Sequence, residues 1–220
     1  MLREKLDQVE ERLGKAVARA RRQRKDITLI AVTKKFPASV IREAYGLGLR
    51  DFGENYVQEF ETKAQDCSGL QAARFHLIGH LQSNKTSKAL ELFQVIQTVD
   101  TAKLARRLAE QSQTPLQVMI EVKLSPEQSK VGAAPEQLPE VVDAIRKHAH
   151  LELTGLMTMP PWSDDPELSR PYFVRLRQLA EQHGLSQLSM GMSHDLEAAI
   201  EEGATMVRVG TALFGPRPKP

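Results

Sequence analysis

The sequence predicts an α/β fold, a single (β/α)8 barrel of the TIM type with an additional helix at its N-terminus, spanning residues 1–220 as one domain. Three observations predict it. Short apolar runs alternate with helical segments eight times along the chain, as successive strand–helix units should. The strongest strand signals, LQVMIEV and TMVRV, are apolar almost throughout, which a parallel sheet covered on both faces requires. No G-x-G-x-x-G fingerprint follows the first strand, where the loop reads TKKFPAS, so a dinucleotide fold loses its best support. The strand signals before Gly53 and Gly191 are weak, and a six-stranded, doubly wound sheet stays open as the alternative.

The elements follow in order. Leu2, Leu6, Val9, Leu13 and Val17 recur at helical spacing among charged residues, so residues 2–22 form an amphipathic helix whose apolar stripe must pack on something. Strand and helix then alternate: 27–33 and 38–47, a weak 50–52 and 55–65, 74–78 and 83–90, 94–98 and 102–111. The pattern continues with 116–121 and 135–147, 151–156 and 168–183, a weak 186–188 and 194–202, and a last strand at 205–209 before a short tail. Prolines break the chain in MPPWSDDPE, residues 159–167, which reads as a loop at the lip of a pocket, with Trp162 either shielding that pocket or exposed.

Composition narrows the class. Hydrophobic residues at 41% and charged residues at 26% are those of a globular chain rather than a disordered one. Thirty basic residues against 28 acidic give a formal charge of +2, and the cluster Arg19, Arg21, Arg22, Arg24 and Lys25 reads as a solvated helix end. With one Trp and three Tyr to stack on bases, no nucleic-acid partner is expected. Cys67 is the only cysteine, so an intrachain disulfide is impossible. The start lacks the apolar run of a signal peptide and no stretch approaches a membrane span, so the expectation is a cytoplasmic protein without membrane contact. The six histidines show no metal-site spacing, and no metal is expected.

In such a barrel, chemistry gathers where strands end and helices begin. Lys34 closes the first strand, Asn55 follows the second, and His76 lies within the third. Met157 ends the sixth, Ser189, Met190 and Gly191 end the seventh, and Arg208, Gly210 and Thr211 end the eighth. A desolvated lysine favours its neutral amine, which can attack an aldehyde, although from this feature alone the favoured reading is that Lys34 extends its head into water. The stretch around Gly210 and Thr211 reads as a glycine-bearing turn whose successive amides can cradle phosphate. SMGMSHD offers a second such turn, or a plain helix cap through Ser193. An amine and an anion site on one rim suit a pyridoxal phosphate pocket.

The segments AVTKKFP, FGENYVQE, FHLIGHLQSNK, EQSKVG, LTGLMTMP and LSMGMSHDLEAAIEEGATMVRVGTALFG together resemble the pyridoxal phosphate homeostasis proteins (the YggS or PROSC family), related to the barrel domain of bacterial alanine racemase. The resemblance runs from about residue 5 to residue 215. It implies that pyridoxal 5'-phosphate is held as a Schiff base on Lys34, with Asn55 and His76 on the ring side. It places Ser189, Gly191, Arg208, Gly210 and Thr211 on the phosphate side or its support. Lys123 and His194 depart from the common family pattern, and Lys123 near the rim puts the local charge in doubt.

The resemblance implies a vitamin B6 and amino/keto acid homeostasis role without substantial turnover, because no second domain supplies the opposing base that racemisation needs. Alternatives stay open: a pyridoxal phosphate-dependent racemase of low activity, a phosphate-sugar enzyme on the same fold, or a scaffold meeting another protein through its first helix. The expected partners are the cofactor and amino acids, with a protein partner unidentified and the chain itself a monomer.

Overall fold

The computed structural model describes residues 1–125 and 131–216. Residues 126–130, which include most of the EQSKVG segment, and the tail from 217 lie outside the described residues. Eight parallel strands close into a barrel in chain order: β1 (Thr28–Val32), β2 (Asp51–Glu54), β3 (Arg74–Leu77), β4 (Val95–Val99), β5 (Leu116–Glu121), β6 (Leu151–Met157), β7 (Gln187–Met192) and β8 (Met206–Val209). Closure is made by β1 on β8, which pairs Ile30 with Arg208 and Ala31 with Val209. The two ends of the chain's pattern therefore meet on one rim, and the six-stranded alternative is overturned.

The weak strand signals have local causes. Gly53 sits inside β2, where an added Cβ would meet Ile78 at 2.9 Å and Ile30 at 3.0 Å, so the barrel interior leaves no room for an apolar side chain there. Gly191 lies inside β7 at φ 88°, a left-handed conformation that disfavours any side chain. The strand consequently runs through Ser189, Met190 and Gly191 instead of ending on them, and its register against β8 shifts between Ser189 and Met192.

The helices cover the outer face. They are α2 (Ala38–Gly46), α3 (Val57–Cys67), α4 (Thr86–Leu92), α5 (Ala102–Gln111), α6 (Leu138–Arg146), α7 (Arg170–Gln182) and α8 (Leu196–Glu201), each following its strand. Sequence sets several starts: Pro37 precedes α2, and the Thr101 hydroxyl accepts the Leu104 amide at 3.2 Å to cap α5. The eighth strand ends in α9 (Thr211–Phe214), a single helical turn where the sequence suggested an open turn and tail.

The first helix, α1 (Leu2–Arg19), uses its apolar stripe on its own barrel. Leu6, Val9, Leu13 and Val17 are all buried, and the helix packs against α8 and α9. Full burial of such side chains stabilises by about 1.5–3 kcal/mol each. Polar contacts fix the same docking: Arg12 grips Glu197 at 2.6 Å and the Ser193 carbonyl at 2.9 Å. Of the basic cluster, Arg19 pairs with Glu201, Arg22 donates to the Ala204 carbonyl and Arg24 pairs with Glu10. That cluster is a fastening rather than a merely solvated end. No helix among the described residues is long and apolar enough to cross a membrane.

Candidate functional site

The strand C-termini open on a cavity of about 520 Å³. Its wall takes Val32 and Lys34 from the β1 side, Asn55 and Ile78 from beyond β2 and β3, and Met159 and Trp162 from the loop after β6. Met192, Ser193 and His194 come from the β7 side, and Arg208, Gly210, Thr211 and Ala212 from β8 and the start of α9. The cavity is mostly apolar with a few convergent polar groups, as small-molecule sites commonly are.

Lys34 stands two residues past the end of β1, in a turn rather than on the strand. The turn is held from below by a buried ionic cluster. Lys63 Nζ lies 3.0 and 3.2 Å from the two Glu54 carboxylate oxygens and 2.6 Å from Glu59 Oε1, and it donates to the Thr33 carbonyl at 3.2 Å. The Thr33 hydroxyl donates to Glu54 at 2.8 Å, and the Lys35 amide donates to Glu59. Both backbone neighbours of Lys34 are thus fixed, and Lys35 is held at φ 64°, in the left-handed region that a lysine rarely adopts. Burial pushes the Glu54 carboxyl above its ordinary range, with Lys63 and Thr33 opposing.

Beside Lys34, past the end of the adjoining strand β8, the backbone amides of Gly210 and Ala212 converge on one oxygen, the Ser193 hydroxyl, at 3.3 and 3.2 Å. Two amides aimed at a single oxygen on a cavity wall form the kind of nest that accepts a phosphate oxygen. On the other side of Lys34, past the end of β2, the Oδ1 of Asn55 is buried with no hydrogen-bond partner among the described residues. Such an atom is costly unless a ligand satisfies it.

Arg208 brings a buried positive charge to the same wall. Its guanidinium donates to Ser189 Oγ at 2.6 Å and to the Thr158 carbonyl at 2.8 Å. Burial lowers its pKa to about 10, against the opposing pull of Glu121 and Asp195, so it remains charged at neutral pH. Beneath it the barrel interior is polar: Ser189 donates to Gln97 at 2.6 Å, Gln97 Nε2 meets His76 Nδ1 at 3.1 Å, and His76 Nε2 meets Asp51 at 2.9 Å.

Five of the ten residues singled out from sequence meet at the cavity: Lys34, Asn55, Arg208, Gly210 and Thr211. The other five do not line it. His76 and Ser189 belong to the interior hydrogen-bond chain, while Met157, Met190 and Gly191 are buried in their strands. Lys123 is not among the lining residues, whereas His194 is, with its ring tilted against Trp162 at 4.9 Å between centroids. Sequence reading overlooked Lys63, Glu54 and Gln97. A charged residue inside FGEN and a polar one inside VIQTV were the available signs.

Comparison with known proteins agrees with this architecture. Residues 5–218 match the family model of the alanine racemase N-terminal domain. The pyridoxal phosphate homeostasis protein of Pseudomonas aeruginosa is 46% identical over 219 residues, covering 97% of this chain and 95% of its own. The Aquifex aeolicus protein of that name is 41% identical, with 97% of each chain covered. PipY of Synechococcus elongatus, solved with PLP bound, is 36% identical over 98% of this chain and 100% of its own, with a TM-score of 0.85. An alanine racemase of Clostridium difficile shares the barrel alone, at 15% identity, a TM-score of 0.77 and 57% of its own length. The chain belongs to the pyridoxal phosphate homeostasis protein family.

Proposed function

We propose that the cavity binds pyridoxal 5'-phosphate, held as a Schiff base on Lys34, and that the chain serves intracellular vitamin B6 and amino/keto acid homeostasis without substantial turnover. The observation that carries the reading is the presence, in one cavity and at the ends of two adjoining strands, of Lys34 and the Gly210 and Ala212 amides. The names of the Pseudomonas and Aquifex relatives and the PLP bound to PipY support it.

Bound there, the cofactor would supply an aldehyde carbon able to form an imine with a primary amine, with loss of water. Lys34 supplies that amine, and the ionic cluster under it keeps its turn in place. The Gly210 and Ala212 amides, which donate to the Ser193 hydroxyl in this structure, would hold the phosphate together with the Thr211 hydroxyl. Asn55 would offer a buried acceptor to the ring and Arg208 positive charge, while Trp162 and His194 form part of the cavity lip. His76, Ser189, Met157, Met190 and Gly191 act from behind this layer by fixing its shape. Met157, Ser189 and Met190 are buried in the strands that carry the wall.

Turnover by racemisation needs a second proton-transferring group opposite the lysine. Tyr56 is the nearest candidate, and it borders a neighbouring depression with His80 and Lys85 rather than the main cavity. On this reading the chain binds the cofactor and amino acids without racemising them, and it is taken as a cytoplasmic monomer. Absorbance and intact mass before and after borohydride treatment test this reading. A visible band lost on reduction, with a permanent mass gain of one cofactor, is expected. A chain that gains neither band nor mass contradicts it.

A further inference from the structure

The interior of this barrel carries a hydrogen-bond chain whose direction and reach the cofactor reading leaves unassigned. It starts at the opposite rim, where Arg74 holds Asp51 Oδ1 at 2.7 Å, and passes through His76, Gln97 and Ser189 to Arg208 at the cavity. His76, Gln97 and Ser189 are 0% exposed and Arg208 is 3% exposed, so water cannot substitute for a lost partner.

The chain has a fixed polarity. Asp51, held below the ordinary carboxylate range although burial opposes this, is an acceptor only. His76 must therefore keep its proton on Nε2, which leaves Nδ1 as a lone pair. Burial also keeps that imidazole neutral. An acceptor at Nδ1 requires the amide NH2 of Gln97 to face it, and the same NH2 reaches Met206 Sδ at 3.6 Å. Gln97 Oε1 then faces Ser189, whose single hydroxyl proton is used on Gln97. The oxygen lone pairs of Ser189 are left for the Arg208 guanidinium. Each donor and acceptor along the line has one consistent assignment, and reversing the Gln97 amide would set NH2 against Ser189 and a carbonyl oxygen against two acceptors.

We infer that Gln97 and His76 are positioning residues for Arg208, acting through Ser189, and that the carboxylate of Asp51 on the far rim sets the orientation of the line. The link to ligand affinity rests on the cofactor reading above, whereas the polarity of the line does not.

The experiment has two arms. In the ligand-free protein, nitrogen-15 NMR of His76 should show a neutral ring protonated at Nε2, and the Arg208 guanidinium protons should exchange slowly. Gln97→Leu should keep the His76 tautomer and release the Arg208 protons to fast exchange. In the second arm, affinity for pyridoxal phosphate is titrated in Gln97→Leu, Asp51→Leu and the double variant. Each single change is expected to weaken binding about two- to tenfold, the net effect of one hydrogen bond. The double variant should be no weaker than Gln97→Leu alone, because both cut the same line. Independent, multiplying losses would overturn the inference, as would a wild-type His76 protonated at Nδ1 or carrying both protons. If the wild-type protein binds no pyridoxal phosphate, the cofactor reading fails while the NMR arm still decides the positioning role.

Discussion

Replacing Lys63 with Met removes the cation at the centre of the cluster under Lys34 while keeping much of its apolar length. Glu54, 0% exposed, would retain only the Thr33 hydroxyl, and Glu59 would retain the Lys35 amide. Breaking a buried pair in this way destabilises by about 3–5 kcal/mol, because one charge stays in the interior uncompensated. The loss should depend on pH. Glu54 already has a raised pKa in the fold, so the folded state binds a proton that the unfolded state releases above about 4.3. Stability from this group is present below the unfolded value and is lost as pH rises through the folded one. Lys63→Met raises the folded value further, so the deficit should be largest near pH 8 and shrink by up to about 1.4 kcal/mol per pH unit on acidification. Urea unfolding followed by circular dichroism at several pH values measures it, with an unchanged slope as the check on comparability. Glu54→Gln combined with Lys63→Met should regain part of the loss, since no carboxylate is then left at that site. A deficit under about 1 kcal/mol at pH 8, or one insensitive to pH, would refute the view that this cluster holds the Lys34 turn by buried charge.

Thr211→Val should weaken binding of pyridoxal phosphate by about 0.5–3 kcal/mol while leaving unphosphorylated pyridoxal nearly unaffected; equal losses in titration would move Thr211 out of the phosphate site. Gly79→Ala should destabilise by about 1–3 kcal/mol and weaken ligand binding, because the new Cβ would stand 2.2 Å from the Asn55 carbonyl oxygen; thermal melts and titration check both. The buried neutral His76 has a lowered pKa, so its stabilising contribution is full above about 6.5 and is lost as pH falls toward the folded value; unfolding of His76→Gln should show a flatter slope in that window. Deuterium exchange at the α-carbon of alanine should stay well below about 1 per second, and faster turnover would mark a catalyst.

The fold was legible because its signals are local and repeated. Apolar runs such as LQVMIEV state that a strand is covered on both faces, and eight alternations leave few closed arrangements. Gly53 and Gly191 blurred two strands because a glycine gives no apolar signal, although each occupies a point where a side chain would clash or be strained. The cavity was half legible. Strand-end position identified Lys34, Asn55 and Arg208, but inward and outward directions alternate along a strand, and the pocket face cannot be told from the interior by position alone. His76 and Ser189 point into the same barrel yet lie a layer deeper, in hydrogen bonds to Gln97 from a strand far away in sequence. The Lys63 cluster joins residues 33, 54, 59 and 63, a contact that only the packing of α3 against β1 and β2 creates.

In the proposed function one amine, Lys34, holds the cofactor beside the Gly210 and Ala212 amides. Peptide mapping of the wild-type protein after loading with pyridoxal phosphate and reduction with borohydride tests it most directly. The account predicts a single stoichiometric adduct on the peptide containing Lys34, formed by pyridoxal phosphate in preference to pyridoxal. An adduct found chiefly on Lys35 or Lys85 instead would contradict it.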